Sequence, residues 1–334
     1  MKQIVSFGET LLRLTPSIAF ERLEQTQTLK MGFAGAESNV CCSLANFGQQ
    51  AFYVTALPGN KIGDACMRHL QMMGVDTRFV VRSEDRMGTY FIEAGATPRP
   101  YRIIYDREHS AISRIKPGTF DWDNMLEGKD WIHLTGITPA LSEQCAAETI
   151  LAAKTARSKG VKVSFDLNFR RKLWSDASKA RGIFEEIIQY TDVLIANAGA
   201  LNDVFGWQSP ETQDEGQVEM IGYITKTFGI DTIGITVRKE TAANLVGALL
   251  YQQGKTHHSQ WFPMEMTERL GGGDAFAAAL VHGLVNEWAE QKTIDFSAAA
   301  FALKHTIPGD ILYTSEQEIL QLVEQGNAGS HVER

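Results

Sequence analysis

A βαβ unit is readable in residues 131–165, WIHLTGITPALSEQCAAETILAAKTARSKGVKVSF. Its two ends, 131–134 and 161–165, are short apolar runs that predict buried strands, and the Ala-rich stretch from Ser142 to Arg157 predicts the helix between them. The alternation continues with a helix at 177–190, strand 192–196, helix 215–228, strand 232–237, and helices at 274–288, 295–306 and 315–325. Strands and helices that alternate in this way predict an α/β fold of three layers, with a central, mostly parallel sheet covered on both faces.

Residues 77–115 show a different pattern, because short β-prone pieces (78–81, 89–92 and 102–105) lie between turn residues with no helical period. With residues 10–31 they predict a small separate sheet, which cannot bury both faces alone and is expected to lie over the main domain or against a partner subunit. The predicted division is an α/β core of 1–9, 32–76 and 116–328, a β lid of 10–31 and 77–115, and a loose tail of 329–334.

Composition excludes several classes of function. The chain has 334 residues and a formal net charge of −8, and no dense cluster of Lys and Arg that would suit a nucleic acid. No apolar run approaches the length of a membrane span, and the first residues form a strand-like segment rather than a signal peptide, so we expect a cytoplasmic protein. The four cysteines (41, 42, 66 and 145) form no CxxC pair and are expected to be buried apolar side chains.

A glycine-rich turn runs directly into a helix at residues 270–280, LGGGDAFAAAL. Glycines there let backbone N–H groups converge on an anion, and the positive end of the helix dipole adds to them. Asp274 in the first turn would place a general base beside that anion hole, which suits transfer of a phosphoryl group to a hydroxyl. The alternative is an ordinary glycine turn followed by an N-terminal Asp.

Other nucleotide and hydrolase motifs are missing. The segment 247–256 has six residues between its glycines where a P-loop has four, and no helix pattern follows it. No GxGxxG follows the first strand, and neither HEXXH nor GxSxG occurs.

Residues 268–276, ERLGGGDAF, resemble the C-terminal signature D-T-x-G-A-G-D-x-F of ribokinase-like (PfkB) carbohydrate kinases. The variant D-R-x-G-G-G-D-A-F is usual among the family's 2-keto-3-deoxygluconate kinases. The resemblance implies that Asp274 is the catalytic base, that Gly271, Gly272 and Gly273 form the anion hole, and that ATP and Mg²⁺ are used. Glu268 stands where the signature has Asp.

The N-terminal half resembles the same family. Residues 8–14, GETLLRL, are similar to its first strand and turn, and 34–40, AGAESNV, are similar to its sugar-contacting segment G-G-A-E-x-N-V. This implies that Gly35 and Asn39 bind the sugar, with Ala34 in place of the first glycine. A structural role for Asn39 in holding the turn is the alternative.

An acid substrate needs a cation for its carboxylate, preferably an Arg. The segment around Arg107 resembles the lid segment of the keto-deoxygluconate kinases, and 166–170, DLNFR, resembles their D-x-N-x-R element. By that resemblance Tyr90, Tyr105, Arg107 and Arg170 bind a sugar acid.

The same likeness implies that Asn168, Asn197, Thr236 and Arg238 bind ATP, and that 302–310 lie beside the adenine. The family's N-x-x-E element appears here as Asn197-Ala198-Gly199-Ala200, without its acidic residue, so no metal ligand is assigned.

The function expected from these motifs is ATP-dependent phosphorylation of 2-keto-3-deoxygluconate or a similar small sugar acid. Two alternatives remain open: a fructokinase or ribokinase that acts on a neutral sugar, or a catalytically weak sugar-binding protein. A homo-oligomer is expected because the lid sheet leaves one face uncovered.

Overall fold

The computed structural model describes residues 1–174, 176–208, 213–239 and 244–325, so the predicted tail at 329–334 lies outside the described residues. The strands are β1 (Gln3–Phe7), β2 (Leu11–Pro16), β3 (Leu29–Ala34), β4 (Gln50–Pro58), β5 (Val80–Ser83), β6 (Thr89–Glu93), β7 (Arg102–Asp106), β8 (Trp131–Thr135), β9 (Lys162–Asp166), β10 (Val193–Ala196), β11 (Thr232–Lys239), β12 (Leu245–Gln252), β13 (Lys255–His258) and β14 (Phe262–Pro263). The helices are α1 (Ala36–Asn46), α2 (Lys61–Met72), α3 (Trp122–Met125), α4 (Glu143–Ser158), α5 (Ala177–Ile188), α6 (Ala198–Phe205), α7 (Gln213–Phe228), α8 (Gly272–Val285), α9 (Glu290–Thr306) and α10 (Glu316–Gln325).

The main sheet has the strand order β13-β12-β11-β10-β9-β8-β1-β4-β5, with β14 paired to β12. All pairs from β11 through to β5 are parallel, while β12, β13 and β14 add antiparallel strands at one edge. The predicted α/β fold with a mostly parallel central sheet is therefore confirmed. Parallel strands need long crossovers, which is why helices separate them along the chain.

Two apolar layers cover the faces of this sheet. Successive strand residues point to opposite faces, so Ile4 belongs to the apolar layer that includes α1, α8 and α9, while Val5 belongs to the layer that includes α4, α5 and α6. The four cysteines are buried and free, as the sequence predicts. No helix among the described residues is long and apolar enough to cross a membrane.

The second sheet has four strands in the order β3-β2-β6-β7 and carries its own small apolar cluster around Tyr90 and Ile92.

One strand that the sequence places in this second sheet belongs instead to the main sheet. Residues 80–83 form β5, which pairs in parallel with β4 at the edge of the main sheet, so the prediction for 78–81 is wrong. The physical reason is that β4, α2 and β5 form another βαβ unit, and a strand pattern alone does not show which sheet a short strand joins.

Candidate active site

A cavity of about 380 Å³ lies between the lid sheet and the carboxyl ends of the main-sheet strands. The carboxyl ends of parallel strands are where open α/β sheets bind ligands. Eight of the residues that the sequence assigns to the site line this cavity: Gly35, Asn39, Tyr90, Tyr105, Arg107, Arg170, Gly271 and Asp274. These residues come from the lid, from α1, from the loop after β9 and from the start of α8, so only folding brings them together.

Asp274 lies in the first turn of α8 and is held by Asn39, whose amide Nδ2 donates a hydrogen bond of 2.7 Å to Asp274 Oδ2. Burial raises the pKa of Asp274 to about 7, and the negative charge of Asp166 adds to the rise. The hydrogen bond from Asn39 and the charge of Arg170 oppose it. A carboxyl group with a pKa near neutral pH suits a general base.

The three glycines before Asp274 differ in why the structure has glycine at each position. Gly271 caps α8 in the left-handed region, with φ of 81°, and a Cβ there would lie 1.8 Å from the carbonyl oxygen of Asp310. A Cβ on Gly272 would meet the ring of His305 at 2.2 Å. Gly273 is exposed with open space beside it. Two glycines therefore permit close packing, and the third leaves the start of the helix accessible to an anion.

The lid side of the cavity carries two stacked tyrosines and an arginine that forms an ion pair with the core. Tyr90 and Tyr105 stack with ring centroids 5.9 Å apart, and the Arg107 guanidinium lies 5.5 Å from the Tyr105 ring. Arg107 Nε donates to the buried carboxylate of Glu9 at 2.8 Å, and its Nη2 and the hydroxyl of Ser110 also donate to Glu9. Glu9 was missed from the sequence, although a polar residue just after the first parallel strand was a usable signal.

Arg170 is one of three consecutive exposed cations that line the cavity, with Arg171 and Lys172. Its Nη1 donates to the carbonyl of Phe169 at 3.4 Å, and within the described ranges no carboxylate lies at ion-pair distance from it. The neighbouring Arg171 is instead paired with Asp203 at 2.5 Å. Arg170 is therefore available to an anionic group of a ligand.

Besides Glu9, carboxyl groups that were not predicted as site residues line the cavity at Glu37, Asp203 and Asp310, and Asp166 adjoins it. Glu37 Oε1 accepts hydrogen bonds of 2.6 Å from the hydroxyls of Thr135 and Thr138, and burial raises the pKa of Glu37. Burial also raises the pKa of Asp166 to about 7, despite the hydrogen bond of 3.0 Å that Asp166 accepts from the backbone N–H of Asn168.

The residues assigned to ATP do not line this cavity. Asn168 is buried beside it, with φ of 28°, and Asn197 caps α6 by accepting a hydrogen bond of 2.9 Å from the backbone N–H of Ala200. Thr236 is half-buried on β11, and the Arg238 guanidinium lies 5.3 Å from the Phe301 ring of α9. Asn197 directly follows β10, and Thr236 and Arg238 lie in the second half of β11.

Within 1–174, 176–208, 213–239 and 244–325, no group of three or more His, Cys, Asp or Glu residues could hold a metal ion. The position of the family's acidic residue is the buried Ala200. The residues fit a metal held mainly by nucleotide oxygens and water rather than by a protein cage.

The chain is similar to known proteins over nearly its whole length. Residues 1–316 match the pfkB family of carbohydrate kinases. The chain is 31% identical over 327 residues to the 2-dehydro-3-deoxygalactonokinase of Haloferax volcanii, covering 98% of both chains. The crystal structure of the 2-dehydro-3-deoxygluconokinase of Thermotoga maritima is similar with a TM-score of 0.92 and 39% identity, over 97% of this chain and 100% of that one. A putative ribokinase II from E. coli, crystallised with ATP and Mg²⁺, shares the fold with a TM-score of 0.82 at 19% identity, over 97% of this chain and 100% of that one.

Proposed function

The chain belongs to the pfkB family of carbohydrate kinases, and we propose that it transfers the γ-phosphoryl group of ATP to a hydroxyl of 2-keto-3-deoxygluconate (2-dehydro-3-deoxygluconate) or a similar sugar acid. The observation that carries this proposal is the position of Asp274 in one cavity with the start of α8 and the exposed cation of Arg170. A base, an anion-binding helix start and a carboxylate-binding cation are the three groups that phosphorylation of a sugar acid requires.

In the proposed reaction, Asp274 accepts the proton of the substrate hydroxyl. The hydroxyl oxygen then forms a bond to the γ-phosphorus, and the bond from that phosphorus to the bridging oxygen breaks to release ADP. Asn39 orients the carboxylate through its hydrogen bond of 2.7 Å. The backbone N–H groups of Gly271 to Gly273 stabilise the charge that develops on the phosphate oxygens.

The remaining ATP contacts are proposed for Asn168, Asn197, Thr236 and Arg238. The last three lie along the carboxyl edge of the sheet between β10 and β11, where a nucleotide could extend away from the sugar cavity. Bound Mg²⁺ supplies charge neutralisation on the phosphate oxygens, and no protein ligand is assigned to it.

The sugar-acid specificity is proposed from the named relatives and from Arg170. The relatives from H. volcanii and T. maritima are named for 2-dehydro-3-deoxy sugar acids. Arg107 is proposed as a second contact to the sugar acid, because it lines the cavity. Its Nε and Nη2 already donate to Glu9, and this pairing is the observation that favours the alternative, a kinase of a neutral sugar.

The test is a coupled ATP-consumption assay with 2-keto-3-deoxygluconate, fructose and ribose. Rapid turnover of the acid and not of the neutral sugars supports the proposal. Turnover of fructose or ribose alone would move the substrate to the neutral class. No turnover with any sugar, together with measurable sugar binding, would favour the sugar-binding protein.

A further inference from the structure

Arg13 of the lid strand β2 lies between two carboxylates of the core. Its Nη2 lies 2.8 Å from Glu268 Oε2, and its Nε lies 2.8 Å from Asp310 Oδ1. A second lid residue, Tyr90, donates a hydrogen bond of 2.9 Å to the other oxygen of Asp310. Glu268 precedes α8 and Asp310 follows α9, so two lid strands contact two separate segments of the core.

These groups are buried. The side chains of Arg13, Glu268 and Asp310 are 15%, 8% and 9% exposed, and Lys304 beside them is fully buried. Burial raises the pKa of Glu268 and of Asp310, and the charge of Arg13 is the strongest influence that opposes each rise. Separating buried opposite charges leaves them uncompensated, which is strongly unfavourable. The ion pairs therefore stabilise the contact between the lid strand β2 and the core.

The same carboxylates adjoin the anion-binding loop. Glu268 lies three positions before Gly271, and its Oε1 accepts a hydrogen bond of 2.9 Å from the backbone N–H of Arg269. The carbonyl of Asp310 packs so closely on Gly271 that a Cβ there would lie 1.8 Å from it. A displacement of either carboxylate segment therefore moves the start of α8.

The length of the Glu268 side chain decides whether the contact with Arg13 exists. An Asp at this position would carry its carboxylate one C–C bond, about 1.5 Å, nearer to its own backbone. With Arg13 and the backbone in their present positions, the distance of 2.8 Å to Arg13 Nη2 would lengthen, which weakens or breaks the hydrogen bond. Glu268 is the position where this chain departs from the family signature.

We propose that Arg13, Glu268 and Asp310 form a latch that couples closure of the lid to the geometry of the anion-binding loop, with Arg13 and Glu268 as positioning residues. When the lid closes over a substrate, Arg13 completes both ion pairs and holds the segments on either side of Gly271 in place. The predicted effect of the latch on kcat rests on the proposed function. The predicted effect on hydrogen–deuterium exchange does not, because it depends only on contacts within the folded chain.

The test is hydrogen–deuterium exchange of Glu268→Asp, which keeps the charge and shortens the side chain. Amides of the lid strands 89–93 and 102–106 and of the loop 269–275 should exchange about tenfold faster than in the wild type, with the exchange of α4 unchanged. In the coupled assay kcat should fall about tenfold or more, since small misplacements of phosphate-binding groups reduce the rate.

Two further variants make every outcome decisive. Arg86→Gln is the matched control, because Arg86 forms a lid ion pair of 2.6 Å with Asp106 that does not touch the loop; it should leave the exchange of 269–275 unchanged. The double variant R13Q/E268Q removes one charge of each sign, so it tests the latch if Glu268→Asp folds poorly. Unchanged exchange in 269–275 in a folded Glu268→Asp, or exchange that is either unchanged there or faster throughout the chain in R13Q/E268Q, would overturn the latch. A wild type without turnover would overturn the proposed function and leave the exchange result readable.

Discussion

Asn39 on α1 and Asp274 on α8, which are 235 positions apart in the chain, are joined by a hydrogen bond of 2.7 Å. The amide fixes one oxygen of the carboxylate, so that the group is oriented before any substrate enters. Both residues were assigned to the site from the sequence, but as separate contacts. The hydrogen bond between them fixes the orientation of the Asp274 carboxyl group, whose pKa is raised.

We predict that Asp274→Asn lowers kcat by about 100- to 10,000-fold, the range that a general base contributes. Asn is isosteric but cannot accept the hydroxyl proton. The measurement is the coupled assay under saturating ATP and sugar acid. Asp121→Asn is the matched control, because Asp121 caps α3 and Asn is an equally good cap. A loss of less than tenfold in Asp274→Asn would show that another group takes the proton.

The pH dependence of kcat/KM should report Asp274, whose pKa is about 7. The base must be deprotonated, so kcat/KM should fall as the pH drops through that value. Asp166→Asn removes a negative charge that raises the pKa of Asp274, so the acidic limb should move to lower pH. The amide oxygen of the substituted side chain would still accept the hydrogen bond from the Asn168 N–H. An acidic limb that stays in place, or moves to higher pH, would contradict this coupling.

Arg170 and Arg107 should differ in their effect on substrate choice. Arg170→Ala removes an exposed cation that has no ion-pair partner among the described residues, so KM for the sugar acid should rise about 10- to 100-fold, as loss of a charge-assisted hydrogen bond implies. Arg181→Ala is the matched control, because Arg181 lies on α5 away from the cavity and pairs with Glu185. Arg107→Ala leaves Glu9 buried without its cation and should lower the melting temperature as well as the activity. If Arg170→Ala impaired fructose phosphorylation equally, the carboxylate role of Arg170 would be wrong.

Ala200 should determine the metal requirement. It is the third residue of α6, whose N-cap is Asn197, so a Glu there would also complete a capping box. We predict that Ala200→Glu lowers the Mg²⁺ concentration for half-maximal rate, because it adds an acidic group near the proposed phosphate site. Ala200→Gln is the control for the cap alone. If both variants raised the melting temperature and left the Mg²⁺ dependence unchanged, a Glu at position 200 would act on the cap of α6 and not on the metal.

The lid should pair with a second copy of the chain. Leu14, Met31, Phe91 and Ile104 occupy one row across its four strands, and Met31 and Ile104 are 57% and 54% exposed. An apolar row of this kind on a sheet face suits a symmetric, self-complementary interface. Ile104→Asp should lower the molar mass measured by size-exclusion chromatography with light scattering. Leu151→Asp, an exposed apolar position on α4, is the control. A wild-type monomer would refute this prediction.

The sequence was sufficient for the α/β fold and for the start of α8, because both depend on local patterns. Alternating apolar runs and helical periods placed the strands from β8 to β11 and the helices between them. The glycine run followed by Asp274 marked a helix start without any knowledge of its neighbours. The same patterns did not predict α6 or the antiparallel strands β12 to β14, and they placed the β5 segment in the lid.

Only the tertiary structure decided which charges pair. Glu9 with Arg107 and Arg13 with Glu268 are separated by 98 and 255 positions, and nothing in the local sequence around them indicates the partner. A solvated Arg and a buried Arg look alike in the sequence. It was therefore not predictable that Arg107 is paired with Glu9 while Arg170 has no carboxylate at ion-pair distance among the described residues. The difference arises from packing, because the fold places a carboxylate beside one guanidinium and leaves the other at the open side of the cavity.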